Sequence, residues 1–247
     1  MARRLFDLLV AATALVVLAP VFLCAAVGIR LASPGPIFYR ARRVGRNGRP
    51  FTMYKFRTMR VEQGPNASPI TASNDPRVFR FGSLLRRLKI DELPQLVNIL
   101  IGQMTIVGPR PEDPEIVRKY YTPAQWETLR VLPGLACPGS LYDYTHGERQ
   151  LNGSDLLGLY GGRLLLVKLA LDTVYVRDAS LLYDVNLICR TAWTILCIAL
   201  GRRAFPPPRE MKKALALGLL SPDEVCLSNL TSTPLKTLEN SPQSNAG

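Results

Sequence analysis

The longest uncharged apolar run extends from Leu8 to Gly28, 21 residues. At about 1.5 Å per helical residue it can match a hydrocarbon core of about 30 Å. It is too long for the apolar part of a secretory signal peptide, and no small-x-small cleavage site precedes a polar start. Basic residues flank it on both sides: Arg3 and Arg4 before it, then Arg30, Arg40, Arg42, Arg43, Arg46 and Arg49. Positive flanks favour the cytoplasmic side of a membrane, and here both flanks carry that signal. Pro20, past the midpoint, removes a helix hydrogen bond and predicts a kink. A helix bent at Pro20 that enters and leaves by one face satisfies both flanks, and a straight helix satisfies the length. On these grounds the re-entrant and the spanning readings both stay open.

The pattern then changes period. After the turn cluster Ser33-Pro34-Gly35-Pro36, two β-prone runs follow, Ile37–Val44 and Pro50–Met59, separated by Gly45-Arg46-Asn47-Gly48. Asn-Gly between such runs predicts an antiparallel hairpin, because both residues tolerate positive φ. Phe51, Met53 and Lys55 fall on one face of the second run, and Thr52, Tyr54 and Phe56 on the other. Helical spacing returns at Leu84, Leu85 and Leu88, with arginines on another face. Pro94 suits the first turn of a further helix, predicted to run to about Met104. Asp91 and Glu92 then sit at a junction between two helices.

Farther on, Asn152–Gly162 reads as a glycine-rich loop without a phosphate-binding fingerprint, and His146 as a surface-loop histidine. Leu181–Leu200 is apolar but carries Asp184 and Arg190. Those charges predict an amphipathic helix at a membrane interface or in the core rather than a spanning one. Pro206-Pro207-Pro208 closes the folded part. A short helix is predicted within 209–226, and the Ser/Thr/Asn/Pro-rich stretch 228–247 reads as disordered. The division expected is 1–32, a membrane helix; 33–205, one compact domain; and 206–247, a tail.

Charge sharpens this picture. The 247 residues carry a formal net charge of +12, which calls for an acidic partner: nucleic acid, anionic lipid or a phosphorylated substrate. The single histidine excludes mechanisms that need two imidazoles. The five cysteines contain no C-x-x-C pair, which excludes a zinc ribbon and gives no disulfide framework. A basic hairpin with interleaved aromatics could bind RNA or the phosphates of a membrane surface. The apolar segment and the lack of a nucleic-acid motif argue against nucleic acid.

The chemistry concentrates at Asp91-Glu92, beside Arg86, Arg87 and Lys89. Adjacent carboxylates repel unless cations or a divalent metal offset them. Such a pair suits phosphoryl transfer. One carboxylate can attack phosphorus to form an acyl phosphate. The other can help hold Mg²⁺, and arginines can clamp the transferring group. An ordinary acidic helix start bridged to its arginines is the plainer reading of the same residues. Pro109-Arg110-Pro111 holds an arginine on a stiff loop, a good phosphate ligand or simply a solvated side chain.

Taken together, these residues resemble the bacterial sugar transferases, the monotopic phosphoglycosyl transferases that act on polyprenyl phosphate. The resemblance rests on an ordered set. It comprises Arg4-Leu5-Phe6-Asp7, Ser33-Pro34-Gly35-Pro36-Ile37-Phe38, Tyr54–Met59, Asp75-Pro76-Arg77 and Leu85-Arg86-Arg87. It continues through Asp91–Leu96, Asn98, Gly108–Pro111, Pro133-Gly134, Leu171-Asp172 and Tyr175-Val176. No single motif is specific; the ordered set, spread over roughly residues 3–200, is.

The resemblance implies an α/β fold, mostly helical with a small β-hairpin. It also implies a monotopic protein with an N-terminal re-entrant helix hairpin kinked at Pro20, and a compact domain on the cytoplasmic face of the bacterial inner membrane. The implied reaction moves a sugar 1-phosphate from a nucleotide diphosphate sugar to polyprenyl (undecaprenyl) phosphate. Asp91 is the implied nucleophile, Glu92 is tied to catalysis and, with Asp91, to Mg²⁺, and Pro109, Arg110 and Pro111 form the family's phosphate loop. Lys55, Arg57 and Arg86 are assigned to phosphate by charge and position. Anionic membrane lipids are further expected partners, and a homo-oligomer stays open.

The chain departs from the family pattern where Ala19 precedes Pro20 and where Leu135-Ala136-Cys137-Pro138 replaces the usual Ile-Thr-Gly-Trp. The second change motivates one rival, a membrane-anchored scaffold that has lost activity. Neither sugar nor pathway is implied.

Overall fold

A computed structural model describes residues 2–61, 75–147, 158 and 160–224. The stretch 228–247 and most of 152–162 lie outside these. The apolar run forms two helices, α1 (Ala2–Val17) and α2 (Ala19–Ala32), bent by 60°. Pro20 sits in the first turn of α2, where the missing N–H belongs to a helix start. Hydrogen bonds continue on both sides of Leu18: its N–H reaches Ala14 O, and its carbonyl accepts from Phe22.

The ends of this helix pair are tied to the rest of the molecule, while its bend is bare. Arg3 clamps Asp184 at 2.7 and 2.8 Å, and Arg4 donates to the carbonyls of Ile99 and Leu100. Asp7 is buried and accepts from Thr105 Oγ1 (2.7 Å) and the Ile106 N–H (3.0 Å). At the far end, Ala25 and Ile29 pack with Phe56, Phe79 and Leu85. Val16 and Val17 near the bend are 76% and 66% exposed.

The predicted hairpin is present as β1 (Phe38–Val44) and β2 (Pro50–Phe56), paired antiparallel with Ala41 opposite Met53. Asn47 and Gly48 take positive φ in the connection. A second pair was not foreseen: β3 (Thr105–Val107) runs parallel to β4 (Gly134–Ala136). Gly108 and Gly134 meet so closely there that a Cβ on Gly134 would lie 2.0 Å from the Gly108 nitrogen. The fold class therefore stands as mostly helical with small β elements.

Around these lie α3 (Arg80–Arg87), α4 (Gln95–Leu100), α5 (Pro114–Tyr120), α6 (Pro138–Tyr142), α7 (Leu165–Asp178), α8 (Leu181–Ala199) and α9 (Glu210–Ala216). Helix α4 stops short of the predicted Met104, because Gly102 at φ +84° turns the chain toward β3. His146 is not on a surface loop. It lies in a π-helical turn, Asp143–Gly147, stacked on Tyr142 at 5.1 Å. Tyr160–Gly162, read as loop, instead belong to a π-helical turn that leads into α7.

Helix α7 is buried almost throughout and organises one core with Tyr142, Leu164, Met211 and Ala214. Helix α8 is two-faced, as its charges predicted. Asp184 meets Arg3 and Tyr175, and Arg190 meets Glu210, so both charges are neutralised on the inner side. Leu182 and Trp193 face outward at 82% and 63% exposure, and Leu200 just past the helix end at 79%. By length and composition α8 is also apolar enough to cross a membrane.

Candidate active site

The chain between α3 and α4 is turned by Lys89, which adopts the left-handed conformation (φ +55°). This is an uncommon backbone state for a residue with a side chain. It starts the tight 3₁₀ turn Ile90–Glu92, and both acidic side chains of that turn are buried. The prediction of a junction between two helices is met, and the reversal at Lys89 explains how adjacent carboxylates both leave solvent.

Their surroundings differ. Glu92 is clamped by Arg110, whose Nη2 donates to Oε1 at 2.5 Å and whose Nη1 donates to Oε2 at 3.1 Å. Lys55 Nζ donates to Oε1 at 3.2 Å, and the Tyr144 hydroxyl lies 3.5 Å from Oε2. Burial opposes ionisation of Glu92, but Arg110 and Lys55 outweigh it and hold the carboxyl well below the usual range. Arg110 is held well above its usual value, since its own burial is outweighed by Glu92. Asp91 has no such clamp. Its Oδ1 is buried without a hydrogen-bond partner. Burial pushes its carboxyl upward, opposed by Lys55, Lys89 and Arg86.

Strand β2 carries Lys55 into the site, and a stiff loop carries Arg110. The Gly134 N–H donates to Pro109 O (2.9 Å), and Pro111 is buried, so both prolines serve the loop's backbone. Asp172 of α7 holds the same loop from behind, accepting from the Gly139 N–H (2.8 Å) and the Arg110 N–H (3.4 Å). Burial raises the Asp172 carboxyl to about 6. Arg86 stands at the edge, its Nε donating to Thr58 Oγ1 at 2.8 Å.

Of the residues singled out from sequence, Asp91, Glu92, Lys55 and Arg110 come together, with Arg86 within electrostatic reach. Arg57 does not join them. Strand β2 ends at Phe56, and Arg57 turns into the loop after α2, donating to Ser33 Oγ, Ser33 O and Pro34 O. Its guanidinium staples that loop instead of joining the acidic pair. Pro20 lies far along the chain at the helix bend. Tyr144 and Asp172 were missed as site residues: Tyr144 carried no local signal, and Asp172 appeared only as a motif position.

Two carboxylates and no third ligand fit Mg²⁺ only in its usual manner, in which one or two carboxylates share the ion with phosphates and water. No group of three or more acidic, histidine or cysteine side chains suited to a metal occurs among the described residues. The unpartnered Asp91 Oδ1 is the acceptor that a cation would satisfy.

The sequence model of one family, described as bacterial sugar transferase, matches residues 1–197. A UDP-glucose:undecaprenyl-phosphate glucose-1-phosphate transferase from Xanthomonas campestris pv. campestris is 38% identical over 203 residues, covering 79% of this chain and 39% of that protein. The exopolysaccharide production protein ExoY of Rhizobium meliloti is 36% identical over 217 residues, covering 81% of this chain and 88% of that protein. A UDP-N-acetylgalactosamine-undecaprenyl-phosphate N-acetylgalactosaminephosphotransferase from Aeromonas hydrophila is 34% identical over 196 residues, 78% of this chain and 43% of that protein. The chain thus spans about two fifths of the Xanthomonas and Aeromonas relatives and most of the Rhizobium one.

Proposed function

Since the chain belongs to the bacterial sugar transferase family, we propose that it moves a sugar 1-phosphate from a UDP-sugar to undecaprenyl phosphate. The observation that carries this reading is the contrast at the acidic pair, a cation-clamped Glu92 beside an Asp91 with an unpartnered buried oxygen. In the proposed first step, an Asp91 carboxylate oxygen bonds to the sugar-bearing phosphorus. The bond from that phosphorus to the bridging oxygen breaks, and uridine monophosphate leaves with the electron pair. In the second step, a phosphate oxygen of undecaprenyl phosphate bonds to the same phosphorus and frees Asp91.

A poorly solvated carboxylate with a raised pKa is a better nucleophile than a hydrated one, and Lys55, Lys89 and Arg86 oppose that rise. Arg110 and Lys55 fix Glu92 and leave their remaining N–H groups for phosphate oxygens. Asp91 and Glu92 would hold Mg²⁺, which when bound neutralises phosphate oxygens.

The lipid substrate requires membrane access, and we place the α1–α2 bend in the inner membrane from the cytoplasmic face. Both ends of the helix pair are fastened to one domain while Val16 and Val17 at the bend are exposed, which supports a re-entrant over a spanning path. Outward apolar residues of α8 and the anionic lipids favoured by a +12 chain fit the same surface.

The altered 135–138 segment forms the end of β4 and the start of α6 and leaves the Glu92–Arg110 clamp intact. The scaffold alternative therefore gains no support from the site. Purified protein with Mg²⁺, undecaprenyl phosphate and a panel of nucleotide sugars is expected to release nucleoside monophosphate. Absence of release with every donor would overturn the reading.

A further inference from the structure

Behind the candidate site lies a second buried polar cluster with no role in the chemistry above. Lys168, on the buried face of α7, points its ammonium at Tyr160 Oη (2.7 Å), Glu112 Oε1 (3.2 Å) and Asp143 Oδ2 (3.8 Å). The Tyr160 hydroxyl in turn donates to Glu112 Oε1 at 2.6 Å. Its ring also lies under the ammonium, 4.7 Å from the centroid. The Lys168 side chain is 3% exposed. Burial disfavours its charge, but Glu112, Tyr160 and Asp143 outweigh that and hold it well above the ordinary lysine value. The cluster is therefore ionic.

Its connections are specific. Glu112 is two residues from Arg110, on the same stiff loop, and its carbonyl also accepts from Val44 N–H of β1 at 3.0 Å. Asp143 is the neighbour of Tyr144. Arg110 and Tyr144 are two of the groups that contact Glu92. One ammonium thus joins the segments that carry both.

A buried ion pair contributes little stability compared with apolar side chains of similar volume, but it restricts the geometry of whatever it joins. We propose that Lys168 is a positioning residue, which acts through Glu112 and Asp143 to hold Arg110 and Tyr144 against Glu92. This inference rests on the phosphoglycosyl-transfer reading only for its kinetic consequence.

The test compares wild type, Lys168→Met and the double variant Lys168→Met/Glu112→Gln, which leaves neither Lys168 nor Glu112 charged. Three quantities are read: melting temperature, steady-state release of uridine monophosphate, and amide exchange over residues 108–112 and 141–146. The double variant is expected to melt within a few degrees of wild type. It should exchange faster in those two segments and turn over at least about tenfold more slowly, with KM for the nucleotide sugar nearly unchanged.

Recovery of both melting temperature and full turnover, with unchanged exchange, would show that the cluster serves stability alone and overturn the proposal. Should wild type release nothing from any donor, the reading of the reaction fails separately. Exchange then decides: faster exchange in the two segments supports the positioning role, and unchanged exchange refutes it. Glu112→Gln alone, which still accepts from Tyr160, supplies the same readouts if the double variant unfolds.

Discussion

Glu92 and Glu112 are two buried glutamates, each facing a lysine and a tyrosine hydroxyl, one touching Arg110 of the Pro109–Pro111 loop and the other following it in the chain. Both carboxyls are held below their usual range by cations that outweigh burial. The difference is what stands beside them. Around Glu112, Lys168 and Tyr160 satisfy one another. Beside Glu92 stands Asp91, a carboxyl with a buried and unpartnered oxygen. A satisfied cluster of this kind holds geometry, whereas a cluster left one partner short has capacity for a ligand.

The sharpest way to break this contrast is at Asp91. Asp91→Asn is expected to lower nucleoside monophosphate release by on the order of 10⁴-fold or more. The fold should persist, because an amide is less costly to bury than a carboxylate pushed upward by burial. Kinetics and thermal melting on one preparation check both halves. Arg110→Met comes next. It leaves Glu92 with the weaker Lys55 contact and removes a bidentate clamp. A loss of about 10²–10³-fold in turnover is expected, with a lowered melting temperature.

A smaller and purely structural effect is expected at Arg57. Arg57→Met strands the Ser33 and Pro34 carbonyls and should cost about 2 kcal/mol in denaturant unfolding, with turnover per folded molecule nearly unchanged. A catalytic loss comparable to that of Arg110→Met would instead support its assignment to phosphate. The smallest effect concerns pH. The folded-state carboxyl of Asp172 is raised to about 6, above its unfolded value of about 3.9. The native state therefore binds the proton more tightly, and between about pH 4 and 6 this group's contribution to stability falls as pH rises. Asp172→Asn removes that slope. The melting-temperature difference, variant minus wild type, should increase from pH 4 to 6 and level off above.

How much of this was legible in the sequence depended on the distance between partners. Asn47-Gly48 announced the hairpin, Pro20 a kink and Pro94 a helix start, because those signals act on their own backbone. The parallel β3–β4 pair escaped notice: three-residue strands far apart in sequence have no periodicity, and only two glycines that must touch, Gly108 and Gly134, mark it. Lys55 and Arg57 looked equivalent as alternate residues of one strand. The strand ends between them, and that single boundary sends one cation to Glu92 and the other to Ser33. Lys168 drew no notice, since its partners Glu112 and Asp143 lie far off along the chain and nothing local reveals them.

Asp7 has a practical consequence for anyone handling this protein. Its carboxylate completes the hydrogen bonding of Thr105 and Ile106 in β3, while Ala11 of the same helix lies in the core with Met53 and Ile99. Trimming the first 32 residues to obtain a more tractable fragment would strip β3 of these partners and open the core around Met53 and Ile99. The opened seam would expose apolar side chains and bare peptide groups to water, which invites aggregation. Purification with α1 and α2 in place preserves the object whose chemistry is to be measured.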